Sequence, residues 1–196
     1  MLNIYLTDYF FIDKGVDLWH TRGSSYKNRI GGSKVKDNKS QDCLFCLIYE
    51  QKKDIIYENE YFYARFDKFP VSPGHLEIIP KRHLVSMFDL SIFEWEHLFP
   101  TIKDTIKIIK STDFQDVYAK FLVNPLNQSS QDYCWQSLAN IGIGKLPDGY
   151  NIGVNEGVAA GRSIDHFHLH IIPRYQGDVE NPRGGVRNII PNKGDY

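Results

Sequence analysis

The sequence predicts an α+β fold: an antiparallel sheet of about five strands with helices packed on one face. Two observations carry the expectation. Segments 55–57, 61–66, 75–80, 150–155 and 165–172 are rich in β-branched and aromatic residues or alternate in polarity, as strands do. Between them, Ile92, Trp95, Phe99, Ile102, Ile106 and Ile109 recur at three- and four-residue spacing, one face of a helix.

The chain has 196 residues, enough for one domain with a sizeable core and extensions. A net charge of −1 argues against a broad nucleic-acid surface, so no nucleic-acid partner is expected. Three cysteines are an odd count and do not suggest a secreted disulfide framework. No apolar run is long enough to span a membrane, and Met1–Asp8 makes a poor signal peptide. A soluble cytoplasmic protein without a membrane partner is the expectation.

Residues 1–42 form an N-terminal extension, aromatic at first (Tyr5, Tyr9, Phe10, Phe11) and then rich in Gly, Ser, Lys and Asn, which reads as partly flexible linker. The main domain, 43–196, opens on Cys43-Leu44-Phe45-Cys46. Two thiolates so spaced can share a tetrahedral metal ion if two further ligands arrive from elsewhere. His75, His83 and the histidines near 168 are candidates; the bland alternative is two small buried residues. Leu44, Phe45, Leu47 and Ile48 suggest a short helix that ends in the charged turn Lys52-Lys53-Asp54. The Pro- and Gly-punctuated stretch 67–74 joins two strands.

Ser91-Ile92-Phe93-Glu94 fits a capping box at the start of the long helix. Pro100 should kink that helix or start a second one, and its apolar stripe is expected in the core. Within 113–149, a helix is expected around Phe114–Leu122, with turn signals after it. Cys134 reads as an inert thiol. Near the end, Asn181-Pro182-Arg183-Gly184-Gly185-Val186-Arg187 is either a surface turn or a backbone phosphate cradle.

The most informative stretch is Asp165-His166-Phe167-His168-Leu169-His170-Ile171-Ile172-Pro173. Successive side chains on a strand point to opposite faces. Three imidazoles therefore share one face, and Phe167, Leu169 and Ile171 the other. Imidazoles crowded on one face repel when protonated and need partners when buried. Imidazole transfers protons, binds metals and attacks electrophiles.

His166-Phe167-His168-Leu169-His170-Ile171-Ile172 resembles the histidine-triad signature of the HIT family of nucleotide hydrolases and transferases. The likeness extends, in family order, to Asn155-Glu156-Gly157, Gly161-Arg162-Ser163, Phe66-Asp67, Pro73-Gly74-His75, Pro80-Lys81-Arg82-His83 and Cys43-Leu44-Phe45-Cys46, covering roughly residues 43–190. It implies that 113–149, longer than the family usually needs, is an insertion. The resemblance implies that His168 attacks an α-phosphorus, that the carbonyl of His166 fixes its tautomer, and that His170 stabilises the phosphoryl oxygens. It puts Ser163 near the leaving group, Asn155 near phosphate or sugar, and Asp67 at the ribose hydroxyls. Leu44, Phe45, Ile48 and Phe66 would line a slot for the base, or be plain core. By analogy with zinc-binding relatives, Cys43, Cys46, His83 and His166 would hold a structural zinc, with no organic cofactor. Small HIT proteins pair as dimers, so a homodimer is expected. Arg162 stands where many members carry Gln; its fixed charge suits a more anionic polyphosphate tail.

The implied activity is hydrolysis at the α-phosphate of a nucleoside polyphosphate or phosphoramidate, of the diadenosine polyphosphate kind, through a nucleotidyl-histidine intermediate. Two other families of reading stay open. One is a nucleotidyltransferase or phosphorylase of the same superfamily, or a nucleotide-binding interaction protein with little turnover. The other is a catalytic metal held by all three histidines. Against the latter, His166 and His170 are separated by about 13 Å of strand.

Overall fold

The structure is a computed structural model that describes residues 42–191, 193 and 194. The expected extension over 1–42 lies outside the described residues except for Asp42. The domain contains helix α1 (Leu44–Glu50), strands β1 (Ile55–Glu58), β2 (Phe62–Phe66) and β3 (Leu76–Pro80), helices α2 (Ile92–Ser111), α3 (Phe114–Val123) and α4 (Gln128–Leu138), then strands β4 (Gly149–Gly153) and β5 (Leu169–Arg174). The five strands form one antiparallel sheet in the order β1-β2-β3-β5-β4. Among the described residues, no helix is long and apolar enough to cross a membrane.

β2 and β3 are buried along their whole length, and alternation divides their residues between two layers. Phe62, Ala64, Phe66, Leu76 and Ile78 join Phe167, Leu169 and Ile171 in a core shared with Leu98, Ile109, Phe114, Tyr118 and Cys134 of α2, α3 and α4. Tyr63 and Ile79 face the other way and pack with Cys43, Phe45, Cys46 and Ile48 of the α1 region. Helices therefore lie on both faces of the sheet, not one as expected: α1 packs on the second face.

The capping box of α2 forms as expected, with Ser91 Oγ accepting from Glu94 N–H and Glu94 accepting from Ser91 N–H. The helix runs as one element past the exposed Pro100. Only the second half of its apolar stripe meets the core: Ile109 is buried, and Ile102 and Ile106 pack against the core. Ile92, Trp95 and Phe99 are exposed, whereas Glu94, Leu98, Thr101, Thr105 and Ile109 are buried. Polar residues tolerate this burial because each is satisfied. Thr105 Oγ1 donates to Thr101 O, Thr101 Oγ1 donates to His97 O and accepts from Asn59, and Glu94 takes both a guanidinium fork from Arg82 and the helix cap.

Helices α3 and α4 supply the walls of the 67–75 connection. Ser130 Oγ donates to Lys68 O (2.7 Å) and Ser137 Oγ to Pro70 O (2.9 Å). Tyr118 of α3 accepts from Gly74 N–H (2.8 Å) and faces the Ser72 carbonyl (3.4 Å), while Tyr175 donates to Pro73 O (3.0 Å). Gly74 has φ +84°, and a Cβ there would lie 2.7 Å from the Phe114 ring, so only glycine fits. Cys134 is free, fully buried and, through burial, raised in pKa, as an inert thiol should be.

The Tyr118→Phe protein should lose about 1–3 kcal/mol, because it leaves a buried N–H of the connection unpaired. Urea unfolding of the two proteins measures this; equal midpoints and slopes would show that the hydroxyl does not brace the connection.

Candidate active site and metal centre

The face of the sheet beneath α1 carries the chemistry in rows. Tyr63 opposes Ile79; Arg65 opposes Glu77, which opposes His170, which opposes Gly153; Asp67 then meets His75 through its backbone N–H. Only His170 of the three alternate histidines lies inside a strand; His166 and His168 belong to the extended segment just before β5. The alternation survives there, since Phe167 packs in the helix-side core with Leu169 and Ile171.

The three histidines are divided between two centres. His166 Nδ1 lies 3.3 Å from Cys43 Sγ and 3.6 Å from Cys46 Sγ, and Cys46 Sγ lies 3.5 Å from His83 Nδ1. Zinc bonds of about 2.3 Å to sulfur and 2.0 Å to nitrogen at a tetrahedral angle put S and N about 3.5 Å apart. The four side chains thus fit one tetrahedral ion. His166 Nε2–H donates to Pro80 O (3.0 Å), which leaves Nδ1 as the ligand nitrogen. Burial is the main cause that pushes His166 down to about 4, so its imidazole is neutral and can ligate.

His168 belongs to the second centre. Its Nδ1–H donates to the carbonyl of His166 (2.8 Å), so its Nε2 carries the lone pair. Burial lowers its pKa against the pull of that hydrogen bond, and the Arg162 charge acts in the same direction as burial. The Phe45 ring stands edge-on to it at 5.1 Å. The His170 ring is 4.9 Å away. Burial, then the neighbouring His75 and His168, push His170 down to about 4.

His170 Nδ1 lies 3.0 Å from His75 Nε2, and Asp67 Oδ2 lies 3.3 Å from His75 Nδ1. Val71 N–H also points at His75 Nδ1, but from 3.5 Å. The carboxylate contact is the shorter and involves a charge, so we take Nδ1 as protonated toward Asp67. His75 Nε2 then accepts from His170 Nδ1–H. Asp67, His75 and His170 are close enough to be considered a metal set. His75, however, uses different nitrogens toward its two partners, which makes a hydrogen-bonded chain rather than a cradle.

The sequence-predicted residues distribute as follows. Phe45 and Ile48 are buried under α1, and Phe45 touches both His166 and His168. Leu44 is half exposed on the same helix. Phe66 is not with them: it packs against Phe114 on the opposite face of the sheet, because it sits one residue out of phase with Arg65 and Asp67. Asn155 lines a cavity of about 580 Å³ with His75 and His170. Gly185, Val186 and Asn188 of the C-terminal Gly-Gly segment wall the same cavity. Arg162 is mostly buried between Asp165 (3.1 Å) and Glu156 (3.7 Å), and Glu156 in turn accepts from Met87 N–H. Ser163 is exposed and lines a smaller cavity beside Cys43 and His83, not the one at His170. The pairing of His75 with His170 was not anticipated; it requires knowing that β3 lies beside β5. Arg65 and Glu77 were also passed over, although charged residues at alternate positions of apolar strands were a visible signal.

The HIT domain family matches residues 49–177 of this chain. An uncharacterised HIT-like protein of Methanocaldococcus jannaschii is 29% identical over 150 residues, 75% of this chain and 91% of the relative. A bis(5'-adenosyl)-triphosphatase of Saccharomyces cerevisiae is 30% identical over 151 residues, 76% of this chain but 53% of the yeast protein. An AP-4-A phosphorylase of Mycobacterium tuberculosis is 26% identical over 126 residues, 64% of this chain and 48% of that protein.

The depressed His170 has a consequence for stability. An unfolded histidine takes up its proton near pH 6.5, and the folded one resists until about 4. The unfolded state therefore binds more protons across that window, and stability present above pH 6.5 declines as pH falls toward 4. Denaturation midpoints between pH 7.5 and 5 should fall less steeply in His170→Asn than in the natural protein. Parallel slopes would remove His170 from this account.

Proposed function

This chain belongs to the HIT-domain family, and from that premise we propose that it is a nucleotide hydrolase acting at the α-phosphate of a nucleoside polyphosphate or phosphoramidate. The observation that carries the proposal is His168: neutral, locked by the His166 carbonyl, with Nε2 as its free nucleophilic nitrogen. Nε2 attacks phosphorus, a P–N bond forms, and the leaving group departs with the electron pair of the broken bond. Water then attacks the same phosphorus, the P–N bond breaks, and the water's proton passes to solvent. A phosphoryl anion beside His170 favours its protonated form. Nε2–H of His170 then donates to a non-bridging oxygen while Nδ1–H keeps its bond to His75.

Asp67 retains lone pairs for the ribose hydroxyls, and Phe45 and Ile48 offer an apolar wall for the base. Asn155 suits the phosphate or sugar from its place in the His170 cavity. Arg162 meets an anionic leaving group with a fixed charge. Ser163 and Phe66 have no part in this reading, given where they lie. The likeness to an AP-4-A phosphorylase favours a second reading, in which phosphate replaces water in the second step.

Zinc is proposed at Cys43, Cys46, His83 and His166 as a structural ion, since these side chains and not the nucleophile have the tetrahedral spacing. Thiols kept for a metal suit a reducing compartment, which supports a cytoplasmic location. A homodimer is supported by the exposed apolar residues Phe88, Ile92, Phe93, Trp95 and Phe99 at the start of α2, and sedimentation at micromolar concentration tests it.

Two experiments bear on the reaction and the metal. His168→Ala should abolish turnover of dinucleoside polyphosphates yet retain nucleotide binding, whereas His170→Ala should lose roughly 10²–10³ in rate. Robust turnover by His168→Ala would end the covalent reading; running the assay with and without phosphate separates hydrolysis from phosphorolysis. Protein purified without added zinc should contain about one zinc per chain, and Cys46→Ser should lose both metal and thermal stability. Metal near zero, with no loss of stability on chelation, would refute the structural ion and leave the reaction untouched.

A further inference from the structure

Two charged side chains on the face that carries the histidines have no role in the reaction above. Arg65 is 5% exposed and Glu77 7%. Their strand neighbours Ala64, Phe66, Leu76 and Ile78 belong to the helix-side core, so both side chains point to the α1 side. They stand directly opposite each other in register, and Glu77 also stands opposite His170. Along β2 this face therefore reads Tyr63, Arg65, Asp67, one strand repeat of about 7 Å apart. Tyr63 lies in the cluster with Phe45 and Ile48. Arg65 and Glu77 thus form the floor between the apolar wall offered to the base and the carboxylate offered to the ribose.

The two are a poorly satisfied pair. Arg65 Nε lies 3.9 Å from Glu77 Oε2, too far for a hydrogen bond, and is a buried nitrogen without a partner among the described residues. Burial, with the nearby Asp67 charge adding to it, pushes the Glu77 carboxyl up to about 8. A buried ion pair in such geometry is a weak way to stabilise a fold, since apolar residues of similar volume often do as well or better. An unsatisfied buried polar atom such as Arg65 Nε calls for an explanation, and recognition of a polar ligand is one.

We propose that Arg65 and Glu77 read the edge of the base and make the site prefer a guanine nucleotide over its adenine counterpart. This rests on the nucleotide reading above. Guanine presents the acceptors O6 and N7, which suit a guanidinium. It presents N1–H and the 2-amino group beside them; two donors favour the ionised form of Glu77, whose carboxylate oxygens accept both. O6 and N1 sit on adjacent ring atoms, so their partners must stand side by side, as Arg65 and Glu77 do. Adenine places an amino donor where guanine has O6, which sets donor against donor at Arg65. A site built to hydrogen-bond one edge discriminates because the wrong edge leaves its buried groups unpaired.

Calorimetric titration of the full-length protein with GMP and with AMP tests the inference, since neither ligand carries a leaving group. GMP should bind at least about tenfold tighter than AMP. In Arg65→Met/Glu77→Leu, which replaces the pair by apolar residues of similar size, the GMP preference should disappear while AMP still binds. Should that protein fail to fold, Glu77→Gln serves in its place: it should weaken GMP and leave AMP unchanged. Equal affinity for the two nucleotides in the natural protein, a preference for AMP, or a GMP preference that survives either variant would overturn base reading by this pair and leave the nucleotide site standing. Absence of binding by both nucleotides would overturn the nucleotide reading and this inference together.

Discussion

The backbone carbonyl of His166 is the hinge between the two halves of the site. It accepts from His168 Nδ1–H and so decides which nitrogen of the proposed nucleophile is available. The side chain of the same residue turns away to Cys43 and Cys46, and its other nitrogen is tied to Pro80. A metal ion on that side chain would fix the carbonyl without touching the reacting atoms. This accounts for a cysteine–histidine cluster so near the His168 centre. It also explains why three imidazoles can crowd one face: each is neutral, and each has a different partner.

The other wall of the site depends on the 67–75 connection, which carries Asp67 at one end and His75 at the other. A loop with so many carbonyls turned inward would be expensive to bury unaided. Here helices α3 and α4 supply the missing donors, with Ser130, Ser137 and Tyr118 reaching its backbone, and Tyr175 closing it from beyond β5. The two helices are thus part of how the His75–His170 contact is held, although they contribute no side chain to that contact.

Much of this was legible in the sequence because strand alternation is a strict rule. It put His168 and His170 on one face and Phe167, Leu169 and Ile171 on the other before any coordinates. The same rule, applied to β2, would have excluded Phe66 from a slot with Phe45, since Asp67 is its immediate neighbour. The exposed first half of the α2 stripe, Ile92, Trp95 and Phe99, failed for a different reason. Counting apolar residues ignores polar ones that are satisfied at home, and Thr101, Thr105 and Glu94 all are. The placement of α1 on the far face, the approach of His75 to His170, and the position of Ser163 beside Cys43 depend on sheet order and loop path, which a local pattern does not encode.

The central claim is that phosphorus passes through His168 rather than directly to water. A substrate made chiral at the α-phosphorus with sulfur and turned over in isotopically labelled water tests that most directly. Two successive in-line displacements, one by Nε2 and one by water, return phosphorus to its starting configuration. Net retention is the expected outcome; net inversion, the mark of a single attack by water, would rule out the covalent step.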